Sequence, residues 1–250
     1  MGRALAVTAV ALAAFTGAVL AGAMNGIDDW GLDHVMPALD PYSEHGGLVA
    51  GSGLWRPFPL DASWWQKLLD AINYPASALV SATVVAVGCF VLLRRGKRWP
   101  ALLWLGAWCS ANALELLGKY FLTRPGVHWS SGDRRVHVLP YDSSYPSGHN
   151  TRAVVVAAVV AYVWPHLRRA AAGWLLLVPV TLVITAAHTI SDVVGGMLLG
   201  LLLVLAAHAM IRGSTRSQTS SNGSNGRSWV SRSRFSPTSR ATESSFQQPS

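Results

Sequence analysis

Two histidines carry most of the chemistry this chain can offer. His149 closes the turn Ser144-Tyr145-Pro146-Ser147-Gly148-His149, and His188 follows 39 residues later, four ahead of Asp192. A spacing of four puts two helical side chains on one face. The Asp192 carboxylate can then accept a hydrogen bond from one ring nitrogen of His188 and leave the other free as a nucleophile. Ser147 and Gly148 stand just before an apolar segment of helical character. There the serine can cap the helix, and backbone N–H groups with the positive end of the helix dipole can meet an anion. Gly148 permits close approach, and His149 in the first turn can protonate a leaving oxygen. Upstream, Lys119 and Arg124 in Lys119-Tyr120-Phe121-Leu122-Thr123-Arg124-Pro125 bring cations suited to phosphate. An acid, an imidazole nucleophile and cations make a phosphoryl-transfer site that calls for no metal and no cofactor. Taken singly, each motif has a plainer reading: Pro-Ser-Gly as a turn, and His188 with Asp192 as a self-satisfied pair. Their placement one helical hairpin apart favours the chemistry.

The elements that must position these groups belong in lipid. Hydrophobic residues make up 51% of the chain and charged residues only 13%. The apolar residues gather into segments of about 20, the length a helix needs to cross roughly 30 Å of hydrocarbon. An all-α, polytopic membrane protein is predicted, with six transmembrane helices at about residues 4–24, 76–94, 100–122, 151–165, 171–189 and 191–211. Residues 1–24 form the first helix or, since Ala21-Gly22-Ala23 resembles a signal-peptidase site, a signal peptide; the apolar run favours an uncleaved helix. Residues 25–75 form an extracytoplasmic loop in which Trp55, Trp64, Trp65, Leu68 and Leu69 suggest an amphipathic helix at the membrane interface. Residues 76–211 form the membrane domain, and the Ser-, Asn- and Gly-rich stretch 212–250 a disordered basic tail.

Charge sets the orientation. Arg94, Arg95, Lys97 and Arg98, then Arg168 and Arg169, then Arg212 and Arg216 flank three helix ends and assign them to the cytoplasm, with the tail. The 25–75 loop, with Arg56 and Lys67 against seven acids, belongs outside. The 119–152 region also lies outside despite Lys119, Arg124, Arg134, Arg135 and Arg152, so these cations are assigned to a ligand. The third helix ends, the fourth begins and the fifth ends on that side, which lets Lys119, Arg124, His149, His188 and Asp192 converge. The net charge of +8 sits mostly in the tail and the helix flanks, so no nucleic-acid partner follows from it. Cys89 and Cys109 lie inside apolar segments, provide neither a disulfide framework nor a zinc cluster, and read as small buried hydrophobes. Asn112 and Glu115 are polar groups within the third helix, and Glu115 stands one turn before Lys119 as an i, i+4 ion pair.

At these residues the chain resembles the type 2 phosphatidic acid phosphatase family, six-helix membrane enzymes that share a site design with the vanadium haloperoxidases. The resemblance covers roughly residues 76–211. Its second motif, Pro-Ser-Gly-His, is met in full by Pro146, Ser147, Gly148 and His149. Of the third, Ser-Arg, five residues, His, three residues, Asp, the chain keeps His188 and Asp192 but has Thr181 and Leu182 at the Ser-Arg position. Of the first, Lys, six residues, Arg-Pro, it keeps Lys119, has Gly126 and Val127 at the Arg-Pro position, and places Arg124-Pro125 two residues early. The resemblance implies that His188 attacks phosphorus and becomes a phosphohistidine, that Asp192 orients it, and that His149 acts as acid and then activates water. It further implies that Lys119, Ser147 and the Gly148 amide hold phosphate oxygens. Arg124 is assigned to replace the first missing arginine. Arg134, Arg135 or Arg152 is assigned to replace the second, and Arg152, three residues after His149, lies on its helical face.

The expected function is hydrolysis of a lipid-linked phosphate monoester or diphosphate at the extracytoplasmic face of the cell membrane. Polyprenyl diphosphate, phosphatidic acid and phosphatidylglycerol phosphate all fit as substrate. Two alternatives stand beside it: a phosphotransferase that passes the same phosphohistidine to an alcohol, and a non-catalytic relative that binds lipid phosphate in a pocket short of two arginines. Six apolar helices disfavour a soluble haloperoxidase. The expected partners are the lipid phosphate and the surrounding membrane lipids; the sequence leaves the oligomeric state open.

Overall fold

In the computed structural model, which describes residues 2–35, 64–122, 144–184 and 187–225, every regular element is helical. The helices are α1 (Gly2–Leu20), α2 (Asn25–Trp30), α3 (Trp64–Asn73), α4 (Ala78–Arg94), α5 (Arg98–Phe121), α6 (Gly148–Val163), α7 (Arg168–Ile184) and α8 (Ile190–Asn225). A π-helical turn, Gly31–Val35, follows α2, and 3-10 turns at Tyr74–Ala76 and Pro165–Leu167 precede α4 and α7. A helix occupies each of the six segments predicted to span, as α1 and α4 to α8, but fewer than six qualify as spans by length and composition. Among the described residues, four stretches are long and apolar enough to span by themselves: Gly2–Leu20, Arg98–Phe121, Pro165–Ile184 and Ile190–Ser214. A fifth arises if Lys67–Ala76 and Ala78–Arg94, bent by 51°, count as one span. The 16 residues of α6 reach about 24 Å at 1.5 Å per residue, short of the hydrocarbon thickness.

The chain divides into two units, Met1–Ile211 and Arg212–Ser250. Within the first, α6 is the central helix and packs on α4, α5 and α7. Its sequence explains that place: an apolar helix with no polar face is stable only when surrounded. Val155, Val159 and Val163 are wholly buried, and they form one core with Val85 and Leu92 of α4 and Trp104 of α5. A second core joins Ala153 of α6 to Val178 and Leu182 of α7 and Val193 of α8. The α4–α5 hairpin closes on three residues. Gly96 adopts the left-handed φ of 72°, and the amides of Gly96 and Lys97 return to the carbonyls of Leu93 and Leu92, which satisfies the end of α4.

The outer faces remain apolar. Val7, Phe90, Leu116, Leu176 and Met210 are each more than half exposed, which suits acyl chains rather than water. Cys89 is buried and donates its thiol to the Ala101 carbonyl at 3.3 Å. Cys109 departs from the expectation of burial and lies on an exposed face of α5. The amphipathic helix expected in the first loop is α3, with Trp64 and Leu68 exposed. It is fastened to α7 by Trp174 Nε1 donating to Ile72 O at 2.8 Å and Thr181 Oγ1 donating to Asn73 Oδ1 at 2.8 Å. Trp55 lies outside the described residues. Helix α8 runs on to Asn225, through a stretch that the sequence assigns to a disordered tail. Ser, Gly and Asn propagate helix poorly. Those turns extend a helix already nucleated by the apolar residues before them. Residues 226–250 lie outside the described residues.

Candidate active site

The site forms where α5 ends, α6 begins, α7 ends and α8 begins. Its centre is the start of α8, which is closed by a reciprocal cap. Thr189 N donates to Asp192 Oδ2 at 3.0 Å, and Asp192 N reaches Thr189 Oγ1 at 3.4 Å. This is a capping box, with threonine at the N-cap and the acid three residues on. His188 therefore stands on the turn ahead of the helix rather than within it, as the four-residue spacing had predicted. The pair still meets: His188 Nδ1 faces the same Asp192 Oδ2 at 3.7 Å, beyond hydrogen-bond length. Nδ1 is buried and has no hydrogen-bond partner among the described residues, and Asp192 is wholly buried.

The second motif docks directly on this turn. Ser147 N donates to Asp192 O at 3.0 Å, so the turn that carries His149 is held to the residue that faces His188. Ser147 is fully buried and caps α6, its Oγ accepting from Asn150 N at 3.4 Å. Asn150 Nδ2 donates to Val193 O at 2.7 Å, and Thr151 Oγ1 bonds both Ser147 O at 2.9 Å and Gly196 O at 3.2 Å. Gly196 makes this approach possible, since a Cβ there would stand 2.5 Å from Ser147 O. His149 is half-buried in the first turn of α6.

The third side is ionic. Glu115 of α5 binds Lys119 Nζ at 2.8 Å and pairs with Arg152 Nη1 from α6. The expected i, i+4 pair is present, and it is half of a larger cluster. Arg152, 6% exposed, also donates Nε to Ala76 O at 2.9 Å and Nη1 to Asn112 Oδ1 at 3.2 Å. Asn112 and Glu115 thus have the partners that their place inside a membrane helix requires. The Glu115 carboxylate lies against the Cα of Gly148, where a Cβ would come within 1.8 Å of it. Gly148 is therefore required by an internal acid as well as suited to an external anion.

Lys119, Ser147, Gly148, His149, Arg152, His188 and Asp192 are thus gathered at one end of the bundle. Arg124, with the first-motif position Gly126, lies outside the described residues, as do Arg134, Arg135, His128 and His137. Leu182, at the third-motif arginine position, is 1% exposed in the core between α6 and α7, so α7 contributes no charge at that point. Two participants were not singled out from the sequence. Thr189 was recognisable, since Thr-x-x-Asp before an apolar run signals a capped helix start. Asp28 was not: it lies on α2 and grips Ser191 across 163 residues.

A family model, the PAP2 superfamily, matches residues 100–216, which include Lys119, His149, His188 and Asp192. Phosphatidylglycerophosphatase B of Bacillus subtilis (strain 168) is 30% identical over 158 residues, 56% of this chain and 72% of that protein. The crystal structure of the first transmembrane PAP2 type phosphatidylglycerolphosphate phosphatase from Bacillus subtilis superposes with a TM-score of 0.60 at 18% identity. That likeness in fold covers 84% of this chain and 96% of the other.

Proposed function

This chain belongs to the PAP2 superfamily as a membrane phosphatase, and we propose that it hydrolyses a lipid-linked phosphate monoester or diphosphate through a phosphohistidine at His188. The observation that carries the reading is the shared turn: Asp192 faces His188 with its side chain and receives the His149 turn with its carbonyl. In this reading Nε2 of His188 attacks phosphorus as the bond to the lipid oxygen breaks, and His149 delivers a proton to that oxygen. Asp192 holds the imidazolium charge. Water then gives its proton to His149 as its oxygen bonds to phosphorus and the phosphorus–nitrogen bond to His188 breaks, which frees inorganic phosphate and restores both rings. Such transfer depends on positioning and charge.

Lys119 and the Gly148 amide are assigned to phosphate oxygens, with Ser147 holding the turn; Arg124, five residues after Lys119 in the sequence, is proposed as a further phosphate cation. Arg152 acts on the site by its field while its hydrogen bonds go to Glu115, Asn112 and Ala76. Among polyprenyl diphosphate, phosphatidic acid and phosphatidylglycerol phosphate, the similarity to a phosphatidylglycerophosphatase favours the last. The Lys and Arg clusters at 94–98 and 168–169 flank helix ends away from those that carry the site, and with Arg212 and Arg216 they support, by the positive-inside rule, a site on the extracytoplasmic face and a cytoplasmic tail.

The test is phosphate release from those three lipids by protein purified in detergent. Orthovanadate should inhibit the wild type, and His188→Ala should abolish release while the protein remains in the membrane fraction. Undiminished turnover in His188→Ala would overturn the mechanism.

A further inference from the structure

We infer that Asp28 is a positioning residue for His188, a role that rests on the phosphohistidine reading above. Asp28 lies on α2, outside the segment matched by the family model, and is 4% exposed. Its Oδ1 accepts Ser191 N at 2.9 Å and its Oδ2 accepts Ser191 Oγ at 2.6 Å. A buried carboxylate is costly unless donors surround it, so this grip is specific. Ser191 N is one of the first-turn amides of α8, which have no partner within their own helix. Asp192 supplies the local half of the cap and Asp28 the other half, from 163 residues away. Negative charge at that helix end is also favoured by the dipole.

The consequence for chemistry lies in the neighbouring residue. Asp192 follows Ser191 directly, and its Oδ2 both caps Thr189 and faces His188 Nδ1 at 3.7 Å. A small roll of this turn sets whether that separation closes to a hydrogen bond, and a two-point hold on Ser191 fixes the roll. The N-terminal segment touches the site twice more. Thr16 Oγ1 of α1 meets Tyr145 OH at 2.7 Å, and Ile190 Cδ1 packs where a Cβ on Gly31 would stand 3.1 Å away. Helices α1 and α2 therefore clamp the turn before His149 and the turn after His188 together.

The test uses the full chain in detergent micelles, with dioctanoyl phosphatidic acid and dioctanoyl phosphatidylglycerol phosphate as probes. Asp28→Ala should lower kcat by about tenfold to a hundredfold, the effect of slight misplacement of a reacting group, with KM nearly unchanged. Asp28→Asn should recover part of the loss, since its carbonyl still accepts Ser191 N. Ser191→Ala keeps the amide bond to Asp28, loses the hydroxyl's contacts with Asp28 and Thr189, and should fall between wild type and Asp28→Ala. It keeps the proposal testable if Asp28→Ala fails to fold. Asp29→Ala, at an exposed neighbour, should match wild type. A second readout is independent of turnover. With 15N-histidine labelling, the signal missing from His188→Ala should shift in Asp28→Asn and Ser191→Ala, while that of His208 should not. An unmoved His188 signal, or loss of activity only in proportion to loss of folded protein, would overturn the role of Asp28. Turnover that persists in His188→Ala would instead sink the phosphohistidine, and the His188 signal would still decide the contact.

Discussion

The two acids at this site are held in opposite ways. Asp192 accepts a neutral amide from its own turn and presents the same oxygen to His188. Glu115 lies between two cations, Lys119 from its own helix and Arg152 from α6. A carboxylate fixed by neutral dipoles keeps its negative charge for a neighbour, whereas one between two cations has its charge cancelled by them. In the proposed mechanism the first arrangement serves an imidazole that becomes positive during reaction. The second keeps a guanidinium inside a membrane bundle, where an unpaired charge is expensive. In that reading one acid acts on rate and the other on assembly.

Substitutions that remove each charge while keeping its shape separate the two. Asp192→Asn keeps a carbonyl for Thr189 N and loses the charge beside His188. Its kcat should fall on the order of 10³-fold, comparable to losing one electrostatic contact of a transition state, with the unfolding temperature nearly unchanged. Activity assays paired with thermal melts in detergent check this, and a normal kcat in Asp192→Asn would erase the distinction. Next in size, Glu115→Gln leaves Arg152 buried without its counterion and should cost about 3 kcal/mol of stability. Rate per folded molecule should change far less. The double variant Glu115→Gln with Arg152→Met should regain much of the melting temperature; a double variant no more stable than Glu115→Gln would break the assignment to assembly. The smallest effect belongs to the cap at the second motif. Ser147→Ala should lower stability by about 1 kcal/mol, and a denaturant titration can resolve a shift of that size.

The same contrast explains what was legible in the chain. Asp192 with His188, Glu115 with Lys119 and Ser147 with α6 are all local, four residues apart or fewer, so helical spacing and capping rules reach them. The apolar segments likewise announced their helices, because lipid leaves backbone polar groups no partner outside the helix. Arg152 was picked out for its face of α6 and assigned to phosphate. Its bonds to Glu115, Asn112 and Ala76 span 37, 40 and 76 residues, and no local pattern encodes them. Asp28 resembled any other acid of a polar loop until the fold put Ser191 beside it. Cys109 looked like core because an apolar environment selects the same residue whether the neighbour is protein or lipid.

Gly196 has a consequence for how the site is spaced. There the main chain of α8 rests on the Ser147 carbonyl with no side chain between them. The spacing of the two imidazole-bearing turns is thus gauged by backbone thickness, the least compressible dimension a protein possesses. A side chain added at Gly196 would wedge those two turns apart.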